Sequence, residues 1–205
     1  MVHGMSWAVE FIRKYRREIT IIAGALVFAA VVFGALALLR SRSRSVLSRA
    51  VGQVTELSAE VAQKPEKLAE LEKLAAKGRT SRLANMELAK YWAEKSDWAK
   101  AESYLGKLPA GPKDLLYYQA EDLKAQVAMG RKDYDKAIAI YTKIGDEKPK
   151  TYPLDAARFR LAECHELKGD TATALELYKK LQTEFPQSYF GYEASLKLSK
   201  LEARK

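Results

Sequence analysis

Thiols and imidazoles are almost missing from this chain. Cys164 is its single cysteine, so no intramolecular disulfide can form and the fold has to hold without covalent staples in any compartment. That cysteine also lies far from the N-terminus, which excludes a lipid-modified cysteine following a signal peptide. The two histidines are His3 and His165. Cys164 and His165 are neighbours on a helical stretch and so point about 100° apart, a poor geometry for one metal ion or for a nucleophile and its base. There is no glycine-rich phosphate loop, no HExxH, no CxxC and no GxSxG. Acidic residues are interspersed with lysines at helical spacing, as on solvated faces. No enzyme and no cofactor are expected from such a chain. Six prolines and eleven glycines among 205 residues, against abundant Ala, Leu, Lys and Glu, point to an all-α fold.

The formal charge of +9 suggests nucleic acid until its distribution is followed. Residues 1–49 carry eight basic side chains (Arg13, Lys14, Arg16, Arg17, Arg40, Arg42, Arg44 and Arg49) against Glu10 and Glu18, which accounts for +6 of the excess. The remainder is near neutral, so a nucleic-acid-binding face is not expected.

Between these basic clusters runs ITIIAGALVFAAVVFGALALL, Ile19 to Leu39, 21 residues with no charge. At about 1.5 Å rise per residue a helix of this length crosses the hydrocarbon core of a bilayer. A cleaved signal peptide is the competing reading, given the small-x-small triplet Ala35, Leu36, Ala37. The apolar run exceeds the roughly 7–15 residues of a signal core, so a retained membrane anchor is expected. Four basic residues flank the run on each side, and loop charge does not set its direction. Length does: 18 residues precede it and about 165 follow, and long segments translocate largely regardless of charge. This places residues 1–18 in the cytoplasm and the rest outside it.

Trp7, Phe11 and Tyr15 recur every four residues before the run, which fits either a short amphipathic helix in the membrane interface or ordinary anchor flanking. The RSRSRS stretch after it reads as a basic collar for anionic headgroups. Ala30 and Gly34 form a small-xxx-small pair suited to helix contact within a membrane. Residues 40–79 then read as this collar and a helical stalk, with Leu47, Ala50, Val54, Leu57 and Val61 as an apolar seam that packs on the next helix. Pro65 suits the first turn of that helix and Gly78 its end.

From residue 80 a spacing repeats. Ala174, Tyr178, Leu181 and Pro186 match Ala137, Tyr141, Ile144 and Pro149, and, eroded, Ala101, Leu105 and Leu108 with Pro109 and Pro112 nearby. The alanines lie 36 and 37 residues apart. This resembles the tetratricopeptide repeat, a pair of antiparallel helices of about 34 residues. In that scheme Ala89, Ala125 and Ala162 on first helices and Ala101, Ala137 and Ala174 on second helices allow close crossing, while Tyr141 and Tyr178 fill the gap to the next pair. Proline ends each unit. First helices are read in SRLANMELAKYWAEK, LYYQAEDLKAQVAMG and LDAARFRLAECHELKG, with Gly130 and Gly169 as left-handed caps. Glu121 and Lys124 stand at positions that are usually apolar, and His165 at a usually aromatic one, where it packs in the core. Residues 189–204 look like a helix closing the stack.

The resemblance implies a groove lined by first helices that binds peptides or partner helices. Its usual positions fall on Met86, Lys90 and Ala93, on Asp122 and Gln126, and on Phe159, Glu163 and Glu166. The order of parts (WAVEFIRKYRREI, one apolar span, a stalk, LEKLAAKGRTSRLANMELAKYWAEKSDWAKAESYL and the later repeats) is similar to that of the ancillary Sec translocon subunit family. Those are single-span bacterial inner-membrane proteins with a periplasmic tetratricopeptide domain. That similarity implies a periplasmic domain of residues 80–205, with translocon subunits, periplasmic chaperones or exported chains as partners. A structural scaffold of envelope or cell-division complexes, self-associating through the stalk and the membrane helix, is the other function this layout allows.

Overall fold

The computed structural model describes residues 14, 15, 17, 29–34, 36, 48–108 and 111–203. The described chain divides into two units, residues 1–52 and residues 53–205. In the first, residues 29–34 are helical, with the Val31, Val32, Phe33 and Leu36 side chains exposed. Among the described residues no helix is long and apolar enough to cross a membrane. Most of the apolar run, including Ile19 and Leu39, and nearly all of the amphipathic lead lie outside the described residues.

The second unit is helical throughout its described length apart from turns. Helical residues 53–61 (α1) lead through a single 3-10 turn, Pro65–Lys67, into α2 (Leu68–Ala76). Three hairpins follow: α3 (Ser81–Glu94) with α4 (Trp98–Gly106), α5 (Leu115–Gly130) with α6 (Tyr134–Glu147), and α7 (Leu154–Lys168) with α8 (Thr171–Glu184). A last helix, α9 (Tyr189–Glu202), packs on α8 and α7. Val54, Leu57 and Val61 of α1 are buried with Leu71, Ala75, Ala84 and Leu88 of the next two helices. Residues 53–79, the described C-terminal part of the 40–79 stretch read from sequence as collar and stalk, share one packed unit with the hairpins that follow.

Asn85 ties this first layer down. It is buried, and its amide donates to the Ala75 carbonyl at 2.9 Å and the Ser81 carbonyl at 2.8 Å, so a carbonyl in the last turn of α2 is satisfied from α3.

The hairpin turns repeat a backbone device. Asp97, Asp133 and Asp170 each cap the second helix, accepting from the amides of Lys100, Lys136 and Thr173. Each donates its own amide to the carbonyl five residues back, on Trp92, Ala128 and His165, which closes the first helix in a Schellman-type turn. The residue just before the aspartate is left-handed in all three: Ser96 at φ 59°, Lys132 at φ 64° and Gly169 at φ 91°. Gly130 is accordingly not the left-handed cap expected from sequence. It is the last residue of α5, and its missing side chain accommodates Trp98, since an added Cβ would sit 2.5 Å from that indole. Lys132 bears a conformation that disfavours a Cβ. Lys132→Gly should raise stability by about 0.5–1 kcal/mol, net of glycine's greater chain entropy when unfolded, measured as a higher Tm of the purified chain.

The repeated alanines mark the interhelical crossings. Ala89, Ala101, Ala125, Ala137, Ala162 and Ala174 are all fully buried, and Tyr141 and Tyr178 beside them are nearly so. Glu121 and Lys124, at usually apolar positions, pair with each other at 2.7 Å on α5.

Candidate functional site

Helices α3 and α5 touch along one side of the unit. Their register is set at the N-terminal end, where the Arg82 guanidinium grips Asp114 with both terminal nitrogens, at 2.6 and 2.7 Å. Asp114 is also the N-cap of α5, accepting from the Tyr117 amide at 2.9 Å. The guanidinium and that amide hold its carboxyl below the ordinary aspartate range. A fork-to-carboxylate contact of this kind fixes angle as well as distance.

Further along, the two helices part to form a cleft of about 480 Å³. Met86, Lys90 and Ala93 enter it from α3 and Asp122 and Gln126 from α5, so five positions marked in the sequence as groove positions converge on one cavity. Leu123 and the nearly inaccessible Met86 form an apolar floor. Glu94, Trp98 and Gln119 also line the cleft, and sequence reasoning missed them along with Leu123. Their signal was present: Gln119 and Leu123 lie one helical turn from Asp122 and Gln126, and Glu94 one turn beyond Lys90. Trp98 belongs to the following helix, and its ring stands at the cleft wall packed against the cluster of Met86, Leu123 and Val127 and close to Gly130.

The polar groups of the cleft are held in place. Lys90 pairs with Glu87 at 2.8 Å. Asp122 accepts from the Tyr141 hydroxyl at 2.8 Å and from the Gln126 amide at 2.9 Å. Burial first, and then the charge of Asp122, pushes the Tyr141 phenol far above its ordinary value, so it stays a hydrogen-bond donor at all accessible pH. Tyr152 is raised for the same two reasons.

The third set of groove positions stands elsewhere. Phe159 is core, not groove wall: it is buried against Tyr178 and Phe190, with ring centroids at 5.6 and 5.4 Å. Glu163 pairs with Arg160 at 2.7 Å, and Glu166 accepts from Tyr178 and from Lys197, both at 2.9 Å. The cause is α9, which takes the place of a next first helix and lays Phe190 and Lys197 over α7.

The remaining titratable groups singled out in the sequence, Cys164 and His165, do not line the cleft. Cys164 is fully buried and burial pushes its thiol up to about 12, far from a reactive thiolate. His165 is half-buried rather than core, with Nδ1 3.1 Å from the Asp170 carboxylate.

The tetratricopeptide-repeat family pattern matches residues 156–188, which comprise most of α7, the turn at Gly169, α8 and the turn after it. No curated protein and no solved structure matches the chain. The chain thus contains a tetratricopeptide repeat within a run of helical hairpins, and repeats of this kind suggest binding to other proteins.

Proposed function

We propose that this chain is a membrane-tethered interaction module, not an enzyme, and that the cleft between α3 and α5 holds a segment of another protein. The observation that carries this is the cleft itself: an open cavity with an apolar floor and oriented polar groups, on the side where first helices meet. The apolar run from Ile19 to Leu39 supports the tether, with residues 1–18 cytoplasmic and the repeats periplasmic. Within that reading the chain sits in a bacterial inner membrane and assists the Sec translocon and periplasmic chaperones with exported proteins. The order of parts along the chain supports that assignment.

A photoreactive amino acid at Ala93, irradiated in intact membranes, tests the proposal. Adducts with channel subunits, chaperones or exported chains are the expected result. Absence of any adduct from Ala93, with the protein folded and inserted, contradicts the use of the cleft. Protease accessibility in spheroplasts tests the orientation.

A scaffold that self-associates is the second reading, and one observation favours it. Tyr189, Tyr192 and Leu196 form an exposed apolar line on one face of α9. Adducts with copies of the same chain or with wall-synthesis proteins would support that reading instead.

A further inference from the structure

The charges around the cleft say what kind of segment it can hold, on the premise just given that the cleft is where a partner chain docks. Among the described residues, the charged side chains that reach the cavity are Lys90, Glu94 and Asp122. The one cation is already engaged, because the Lys90 ammonium lies 2.8 Å from the Glu87 carboxylate. Asp122 is held by a phenol and an amide, two neutral donors that orient the carboxylate without cancelling its charge. Arg160 is near enough for its charge to feel Asp122, yet its guanidinium is bonded to Glu163 at 2.7 Å. Among the described residues Glu94 has no ion-pair partner, and it stands exposed at the end of α3. The cavity therefore presents two carboxylates without a paired cation, at the edge of a floor made by Met86 and Leu123.

We propose that the cleft selects a basic amphipathic peptide segment, one that lays apolar side chains on Met86 and Leu123 and directs a lysine or arginine toward Asp122 and Glu94. Such side chains suit the cavity in both halves, since a long methylene stem covers apolar surface while the head stays at the wet rim. The Trp98 ring at the wall adds apolar surface for the same stem. An acidic segment meets the opposite balance: it brings like charge to both carboxylates, and Lys90, the lysine that lines the cavity, is held by Glu87. Glu94 is exposed and Asp122 half-buried at the edge of an open cavity, so the preference is moderate and falls with salt.

Fluorescence anisotropy of the full chain in an uncharged maltoside detergent provides the test, with three dye-labelled nonapeptides that share one Leu/Phe frame and carry Lys, Gln or Glu at the polar positions. The lysine peptide should bind about tenfold tighter than the glutamate peptide near 0.15 M salt, with the glutamine peptide between them and the ratio shrinking at higher salt. Asp122→Asn combined with Glu94→Gln should bring the ratio close to one, chiefly by weakening the lysine peptide. Asparagine still offers Tyr141 an acceptor oxygen, and Glu94→Gln alone, at an exposed position, keeps the test open should the double variant misfold. A glutamate peptide that binds as tightly as the lysine peptide, or a ratio untouched by the variants, overturns the proposal. If all three peptides bind equally and Ala93→Trp abolishes binding, the cleft is a docking site without charge preference and only this inference fails. If none binds, the docking reading falls with it.

Discussion

Ala174→Trp is expected to unfold the C-terminal repeat. Ala174 is fully buried in one cluster with Ala162 of α7, Tyr178 of its own helix and Ala194 of α9. Three helices thus meet around a side chain of one carbon. Extra methylenes forced into such a place cost about 1–3 kcal/mol, and an indole exceeds them by far, since no rotamer can leave a site with no exposed surface. A loss above about 4 kcal/mol follows, a large part of the 5–15 kcal/mol that holds ordinary domains together. Stacked hairpins depend mainly on their neighbours, so the damage should stay local. Hydrogen exchange should accelerate through α7, α8 and α9 while α3 to α6 remain protected. An unchanged melt, with unchanged exchange over residues 154–202, would contradict the crossing.

That prediction could be framed from sequence because the alanine requirement is local and periodic: where two helices cross closely, nothing larger than a methyl fits, and the same residue returns with each hairpin. The aspartate caps obey the same period, four residues ahead of Ala101, Ala137 and Ala174, a spacing as legible in the sequence as the alanines. Gly130 shows the limit of composition as a guide. A glycine near a helix end suggests a left-handed cap, but the chain turns two residues later, at Lys132, and Gly130 answers a contact with Trp98. Nothing in the local sequence reports that contact.

The groove positions divide on the same ground. Phase along a helix says which residues share a face, and it brought Met86, Lys90, Ala93, Asp122 and Gln126 to one cavity. It does not say what covers that face. Phe159, Glu163 and Glu166 have the right phase on α7, and α9, some thirty residues on, lies over them.

The hold of α9 over that surface rests on a glycine. Gly191 is buried in the first turn of α9, and its amide is capped by the Ser188 hydroxyl at 2.9 Å. A Cβ built there would overlap the backbone carbonyl oxygen of Phe185, a group that cannot swing aside as a side chain can. Gly191→Ala should therefore push the start of α9 away from the end of α8 and cost about 2–3 kcal/mol through forced backbone movement. Gly145→Ala is the matched comparison: Gly145 is also helical, an added Cβ meets nothing within 4 Å, and its expected effect is a gain of about 0.5–1 kcal/mol from helix propensity. The two substitutions add the same methyl and differ only in what it touches. Displacement of α9 also uncovers Phe159 and withdraws Lys197 from Glu166. Gly191→Ala should thus bind an apolar dye more strongly and associate at lower concentration, as a stack without its end cap does. Equal Tm values for the two variants, with no gain in dye binding, would show that α9 does not depend on the close approach at Phe185.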